Sequence, residues 1–525
     1  MNPEQIFNII EAKVVDEYGQ PTSKRKVTPP QWFELYKERF RISRVEDVRE
    51  EPPHSLHLPG KVKQTWIITA RDTLSKLSNR QYLLINLLEG PALAAILAFV
   101  IRYNSAPGGK EYIFRFNENF PAFMLMSIIV ALFMGLTVSA EEIIRDRKIL
   151  KRESFLNLSW NSYLMSKLII LFSLSAIQTL SFVLVGNIIL EIEWRMLPAF
   201  WFMLFSVSCM ANVLGLNISS AFNSAVTVYV LIPLLLIPQM ILSGLLFNFD
   251  KLNEVISTKG KVPVIADFMA SRWAYEGLAV YYFKNNSFEE IYYDFDKVVA
   301  QADFRSSFLV DELDKRRRFI ADNIHQPGDS LKFKMAADLS LIQSTIEKDF
   351  YKKGLEHLSF DQPWTLEQYT AEFDKTLQAY FDGYRDFYQE VYNVKVALRE
   401  RLIADLENQG DYNLNENKNV FFNESLADLV MNVSEKDRII EYDGELVQQI
   451  NPIFLDPRPT SAIDYRTHFF SPKKNLLGAQ VSTFWFNALV IWIMTVILYV
   501  ALYFEFLRKL VTSKMPNRIN TIKEK

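Results

Sequence analysis

The sequence is poor in the residues that carry covalent and metal chemistry. Its 525 residues include one cysteine and five histidines. A lone Cys209 rules out a disulfide within the chain, and the scattered histidines make no ligand cluster. There is no G-x-x-x-x-G-K-[ST] loop to cradle a phosphate, no H-E-x-x-H and no G-x-S-x-G elbow. The first residues, MNPEQIFNIIEAK, lack the basic stretch followed by an apolar run that marks a signal peptide. Neither sign of charge dominates, the formal net charge being -3, and no nucleic-acid partner is expected. Charge is also missing locally: none occurs from Met196 to Phe249.

What is present is apolar and aromatic, and it comes in blocks. Phenylalanine occurs 40 times and 14% of residues are aromatic, as spans and their interfacial belts require. A crossing helix needs about 20 apolar residues. Tyr82–Ile101, Phe120–Ala140, Leu168–Leu190 and Phe484–Phe504 each fit, and Met196–Phe249 divides into two at Leu214–Ser224. The spacing therefore predicts six spans, with both termini on one side. Lysine and arginine crowd the flank before span one, the loop after span two and the tail, so that side is expected to be cytoplasmic. The low cysteine count points to a multi-pass protein of a bacterial inner membrane.

The expected fold class is a mainly α membrane protein: six transmembrane helices, an amphipathic connecting helix and a large, mostly helical (α+β) extracytoplasmic domain. The expected divisions are a cytoplasmic segment over 1–60, a connecting helix over 61–80 and spans one to five over 81–249. The extracytoplasmic domain follows over 250–478, then span six over 479–507 and a tail over 508–525. In the connecting helix, Val62, Trp66, Ala70, Leu74 and Leu77 form an apolar stripe suited to the membrane surface. In the domain, residues 366–410 read as one or two long helices, and Asp443-Gly444 as a hairpin turn. Glu89 interrupts span one. An acid there is costly unless paired or hydrated, so a bond to a neighbouring span is expected. Arg272 and Glu276, four residues apart in SRWAYEGLAV, can pair along a helix.

The order of these parts resembles the membrane half of an ABC exporter of the G subfamily, within the type-2 permease group. The resemblance covers residues 1 to about 285 and the last span. Its motifs are Arg272-Trp273-Ala274-Tyr275-Glu276-Gly277-Leu278, similar to the family's R-Y-G-F-E-A-L, the stretch PQMILSGLLFN, and the basic loop RDRKILKRESFLNLSWNSYLMSK. The resemblance implies a membrane-surface helix over 265–283, with Arg272 and Glu276 paired where water and lipid meet. It implies a valve of Leu245 and Leu246 closing a substrate path near Phe133, Met134 and Gln239. It also implies a coupling element containing Arg147, Lys148, Glu153, Tyr163 and Lys167. The chain would hold no cofactor and would not be an enzyme by itself. ATP and Mg would act through a nucleotide-binding ATPase domain or subunit, absent from this sequence, and two copies would form a homodimer among membrane lipids. Two other functions stay open: an ATPase-driven lever whose outer domain works on an envelope partner, and an anchored outer enzyme.

Overall fold

The computed structural model describes residues 3–40, 59–103, 111–153, 158–253, 255–256, 260–326, 328–349, 363–410, 412–442, 444–457, 459 and 461–513. Part of the expected N-terminal segment (41–58), part of the basic loop (154–157) and the end of the tail (514–525) lie outside them, as does Asp443 of the expected hairpin turn.

Residues 1–58 form a unit of their own. It contains α1 (Pro3–Ile10), a hairpin of β1 (Lys13–Val15) with β2 (Pro21–Arg25), and α2 (Pro29–Arg39). Helix α2 starts where Pro29 suits the first helical turn and Gln31 Oε1 accepts the Thr28 N–H at 2.9 Å. Ile6, Phe7, Ile9, Ile10 and Phe33 are all exposed, and no described residue of this unit is buried.

The second unit begins with α3 (Lys61–Ser78), α4 (Arg80–Ile101), α5 (Phe120–Ser139), α6 (Glu142–Glu153), α7 (Trp160–Leu190), α8 (Leu197–Ala221) and α9 (Ala225–Ile241). A large mixed domain follows: α10 (Ala270–Asn285), α11 (Glu289–Asp303), α12 (Val310–Asn323), α13 (Asp329–Glu347), α14 (Ala371–Asn408), α15 (Leu414–Phe421) and α16 (Glu424–Val430). Two hairpins complete it, β3 (Ile439–Tyr442) with β4 (Glu445–Gln448) and β5 (Lys473–Leu476) with β6 (Ala479–Ser482). The chain then returns through α17 (Thr483–Tyr503) and α18 (Phe506–Ser513).

Among the described residues five helices are long and apolar enough to cross a membrane: α4, α5 continuing into α6, α7, α8 and α17. The chain is a multi-pass membrane protein. The expected fifth span is shorter than its apolar run. Helix α9 has 17 residues, contains Pro233 and Pro238, and ends at Ile241. Gly244, at φ +88°, then turns the chain, so Ser243–Asn248 is uncharged without being helical.

Small residues set the packing between the spans. A Cβ on Gly215 of α8 would fall 2.0 Å from Ser139 Oγ of α5, and one on Gly135 would fall 2.6 Å from the Ser208 carbonyl oxygen. On α4, a Cβ on Gly90 would fall 2.7 Å from the Gln178 carbonyl oxygen of α7. Such close backbone approach substitutes for the hydrophobic effect, which lipid does not supply. The base of the large domain shares its core with the spans: Trp273 and Tyr275 of α10 cluster with Phe120 of α5 and Phe484 of α17. Helices α12, α13 and α14 have a separate core around Leu313, Leu339, Ile342, Leu377 and Tyr384. Helix α14 stops where expected, next to Gly410 at φ +85°.

Candidate functional site

Three helices meet at the α6 end of the spans, each presenting a polar pair four residues apart: Asp72 and Lys76 on α3, Glu142 and Asp146 on α6, Tyr163 and Lys167 on α7. This spacing puts both members of a pair on one helix face. The faces converge on Lys167, which is 1% exposed. Its Nζ donates to Asp72 Oδ2 and Glu142 Oε2, each at 2.8 Å, and lies 2.7 Å from Asp146 Oδ2. The other Glu142 oxygen accepts from Lys76 at 2.8 Å and Arg145 at 3.0 Å, and the Tyr163 hydroxyl donates to Asp146 at 3.0 Å.

The other expected coupling residues surround this cluster in different roles. Arg147 donates to the carbonyls of Ser219, Ser220 and Phe222, at 3.2, 2.9 and 2.7 Å, and to the Asn223 side chain, so it closes the end of α8. Glu153 accepts from Arg71 of α3 at 2.6 Å. Lys148 is exposed, together with Ile149 and Arg152 on α6.

A second cluster lies at the domain end of the spans. Helix α10 does bring Arg272 and Glu276 together, Nη1 to Oε2 at 3.6 Å, but not where water and lipid meet. They are 2% and 0% exposed, because α10 packs against α5, α8 and α17 as an inner layer and not as a surface helix. Lys474 Nζ of β5 lies 2.8 Å from Glu276 Oε1, and Asn487 Nδ2 of α17 donates at 2.9 Å both to Glu276 Oε2 and to the Trp273 carbonyl. Arg272 stacks on the Trp273 ring at 3.7 Å from its centroid and reaches Asp267 only at 3.7 Å, so charge and stacking hold it. Burial opposes ionisation of Glu276, yet Lys474 and Arg272 overcome it and hold the carboxyl below its usual range. For Lys474 burial wins over the pull of Glu276, and its ammonium is pushed down to about 8.

The expected path residues do not converge on one surface of the single chain. On α5, Phe133 is 39% exposed while its neighbour Met134 is buried. Gln239 ties α9 to α10: its Oε1 accepts the Ser271 N–H at 3.0 Å and its carbonyl the Ser271 hydroxyl at 2.6 Å. Leu245 and Leu246 sit beyond the end of α9 in the turn, Leu245 packed on the core and Leu246 exposed. Glu89, on α4, does not make the expected bond to another span; it is half-buried, with no hydrogen bond or ion pair among the described residues.

The sequence reading missed Lys474, Asn487 and most of the first cluster. The i, i+4 pairs on three helices were a usable signal for the latter. For Lys474, inside the charged run SPKKN, nothing local distinguishes it from a solvated lysine.

Residues 63–283 match the family model described as ABC-2 type transporter. The match runs from α3 through the clustered residues of α6 and α7 and ends within α10. It places this stretch with the broad group of ABC-2 type membrane permease domains, without singling out the G subfamily. No curated protein matches the chain. Among the described residues no group of three or more His, Cys, Asp and Glu is placed to hold a metal ion.

Proposed function

We propose that this permease-type chain is the transmembrane half of an ATP-driven exporter close to the G subfamily, moving a lipophilic or amphipathic substrate outward. A separate ATPase domain or subunit supplies ATP and Mg, and two copies of the chain form the pathway. The observation that carries the reading is the cluster on Lys167. It joins α3, α6 and α7 through buried charges, while α6 turns Lys148, Ile149 and Arg152 to solvent. A push on the exposed face of α6 reaches a span through three short contacts. Helix α9 is the sixth crossing, at the short end of the usable range, which leaves both termini and α6 in the cytoplasm. Leu245 and Leu246 of two copies close the path at its outer end, and the exposed stripe of α3 lies on the membrane surface.

The lever reading has its own support. The base of the domain is fastened to the spans at separate points: Arg115 Nε to Glu424 at 2.7 Å, Asn423 Nδ2 to the Phe114 carbonyl at 2.9 Å, Arg195 to Glu290 at 2.5 Å, and the Asn487–Glu276 bond. A body held in this way moves with the spans and transmits force to an envelope partner.

The test is reconstitution with the cognate ATPase. The chain alone hydrolyses no ATP, the complex does, and Glu153→Arg, which sets two cations against each other at Arg71, lowers the stimulated rate. In intact cells a cysteine at Gln409, in a Cys209→Ser background, reacts with an impermeant maleimide, while one at Ser513 reacts only after lysis. Turnover by the chain alone, or the reverse labelling pattern, sinks the reading.

A further inference from the structure

The chain does not run straight out of its last span. Helix α17 ends at Tyr503, and Glu505, at φ +50°, bends the backbone before α18 begins. A left-handed backbone is disfavoured for a residue with a Cβ, so such a bend needs support. The Glu505 N–H donates to the Leu502 carbonyl at 3.0 Å, and its own carbonyl accepts from the Lys509 N–H at 3.0 Å. Arg508 Nη1 donates to both of its carboxylate oxygens, at 3.0 and 3.2 Å. The bend is built into the fold.

Helix α18 packs on α8 and on the end of α17. Its place is the α6 end of the spans: Asn217 of α8 donates to the Leu498 carbonyl of α17 at 2.9 Å, and Arg147 of α6 closes the end of the same α8. Leu507 and Val511, four residues apart, are half-buried on the protein side. At about 100° per residue, Phe506 and Leu510 make a second face beside that one. Both are exposed, at 61% and 42%. Phe504, in the bend, and Tyr503, in the last turn of α17, add two more exposed rings. Lys509 borders the Phe506–Leu510 face on its other side, and Arg508 follows it around the helix; both are exposed.

Two observations say what covers this face. The first is position, because α17 is one of the helices apolar enough to cross a membrane, and α18 starts just past its end. The second is charge. From Phe506 to Lys525 there are six lysines and arginines and one acid, Glu524. Two copies of so basic a segment repel each other, which argues against a second copy of the chain as the cover.

We propose that α18 is an interfacial helix that binds the anionic phospholipids of the leaflet at the α6 end. Phe504, Phe506 and Leu510 enter the boundary between head groups and acyl chains, and Lys509 meets the phosphate-bearing head groups. The apolar face supplies insertion into any lipid, and the cations supply the preference for a negative surface. The surface lies within one chain and needs neither ATP nor transport, so its failure would leave the exporter reading untouched.

The test uses the full purified chain with a nitroxide attached through Leu510→Cys in a Cys209→Ser background. It is placed in nanodiscs of phosphatidylcholine, alone or mixed with phosphatidylglycerol. Collision with oxygen, which concentrates in lipid, is compared with collision with a water-soluble nickel chelate. The label should be immersed in the mixed discs and wetter in phosphatidylcholine alone, and high salt should release it. Lys509→Gln should shift the ratio of immersed to water-exposed label about fivefold toward water in the mixed discs, the loss of one cation at an anionic surface. Lys375→Gln on α14 should not. The comparison of lipids needs no change of charge, so it decides the proposal even if Lys509→Gln fails to fold. The same accessibility in both kinds of disc overturns the proposal, whether the label is equally wet, equally immersed in neutral lipid or equally shielded by protein.

Discussion

The two buried clusters are opposites in sign. At the α6 end one ammonium, Lys167, sits among three carboxylates, and at the domain end one carboxylate, Glu276, sits between two cations. They also differ in how well they are sealed. Asp72 and Asp146 keep 15% and 18% of their side chains exposed and Arg145 keeps 52%, whereas Arg272, Glu276 and Lys474 keep 2% or less and the rim residue Asp267 keeps 13%. A partly hydrated cluster can lose a contact and replace it with water; a sealed one cannot. The first is suited to a joint that rearranges, and the second to a fixed corner where domain and spans are locked together.

This difference is open to measurement. Removing the central charge of the sealed cluster should have the largest effect. Glu276→Gln leaves Lys474 without its ion-pair partner and Arg272 with only Asp267, 3.7 Å away, and should cost about 3–5 kcal/mol in reversible unfolding. Adding Lys474→Met should recover part of that, because the cation left without an ion-pair partner is gone; a double variant no more stable than the single one would break the account. Lys167→Met takes the shared cation from three carboxylates, but Glu142 keeps Lys76 and Arg145, Asp72 keeps Lys76 at 3.7 Å, and water reaches Asp72 and Asp146, so the cost should be smaller, about 2–3 kcal/mol. Equal losses at Glu276 and Lys167 would erase the contrast.

A pH series separates the clusters further. The Lys474 ammonium falls from its ordinary 10.5 to about 8 in the folded chain. Between those values the unfolded chain binds more protons, so this group makes stability rise with pH over that window, its cost being fully present below about 8. Glu276, held below its ordinary range, contributes stability that is present above the unfolded value and is lost as pH falls. Lys474→Met should abolish the alkaline rise, and unfolding curves of the two proteins that run parallel from pH 7 to 10 would refute it. The smallest effect belongs to Gly277→Ala at the same corner. The added methyl would meet the mobile end of Met203 at 2.9 Å, so unfolding should shift by less than about 1 kcal/mol.

What could be read from the sequence follows the range of the forces involved. Apolar runs located α4, α5, α7, α8 and α17 to within a few residues at most ends, since a crossing helix writes its own length into the chain; α7 began earlier, at Trp160, because its first turns are polar and join the Lys167 cluster. The apolar stripe of α3, the long α14 and the β3–β4 hairpin were legible for the same local reason. The end of α9 was not, because apolar character continued through a turn set by Gly244. The Arg272–Glu276 pairing was visible in its spacing, but its burial was not. Burial depends on β5 and α17, which follow about 200 residues later, and Asn487 lies 211 residues from Glu276. Glu89 shows the converse: cost alone predicted a partner, and the fold provides none among the described residues.

The fastening of Arg115 to Glu424 sets a schedule for biosynthesis. The two residues are 309 apart in the chain. At a ribosomal rate of about 5–20 residues per second, Arg115 emerges roughly 15–60 s before its partner exists. During that interval the turn ahead of α5 has neither Glu424 nor the Asn423 donor that later holds the Phe114 and Asn117 carbonyls. The early spans must therefore be inserted and held in the bilayer with one end unfinished, and the domain completes that end only after most of the chain has been made.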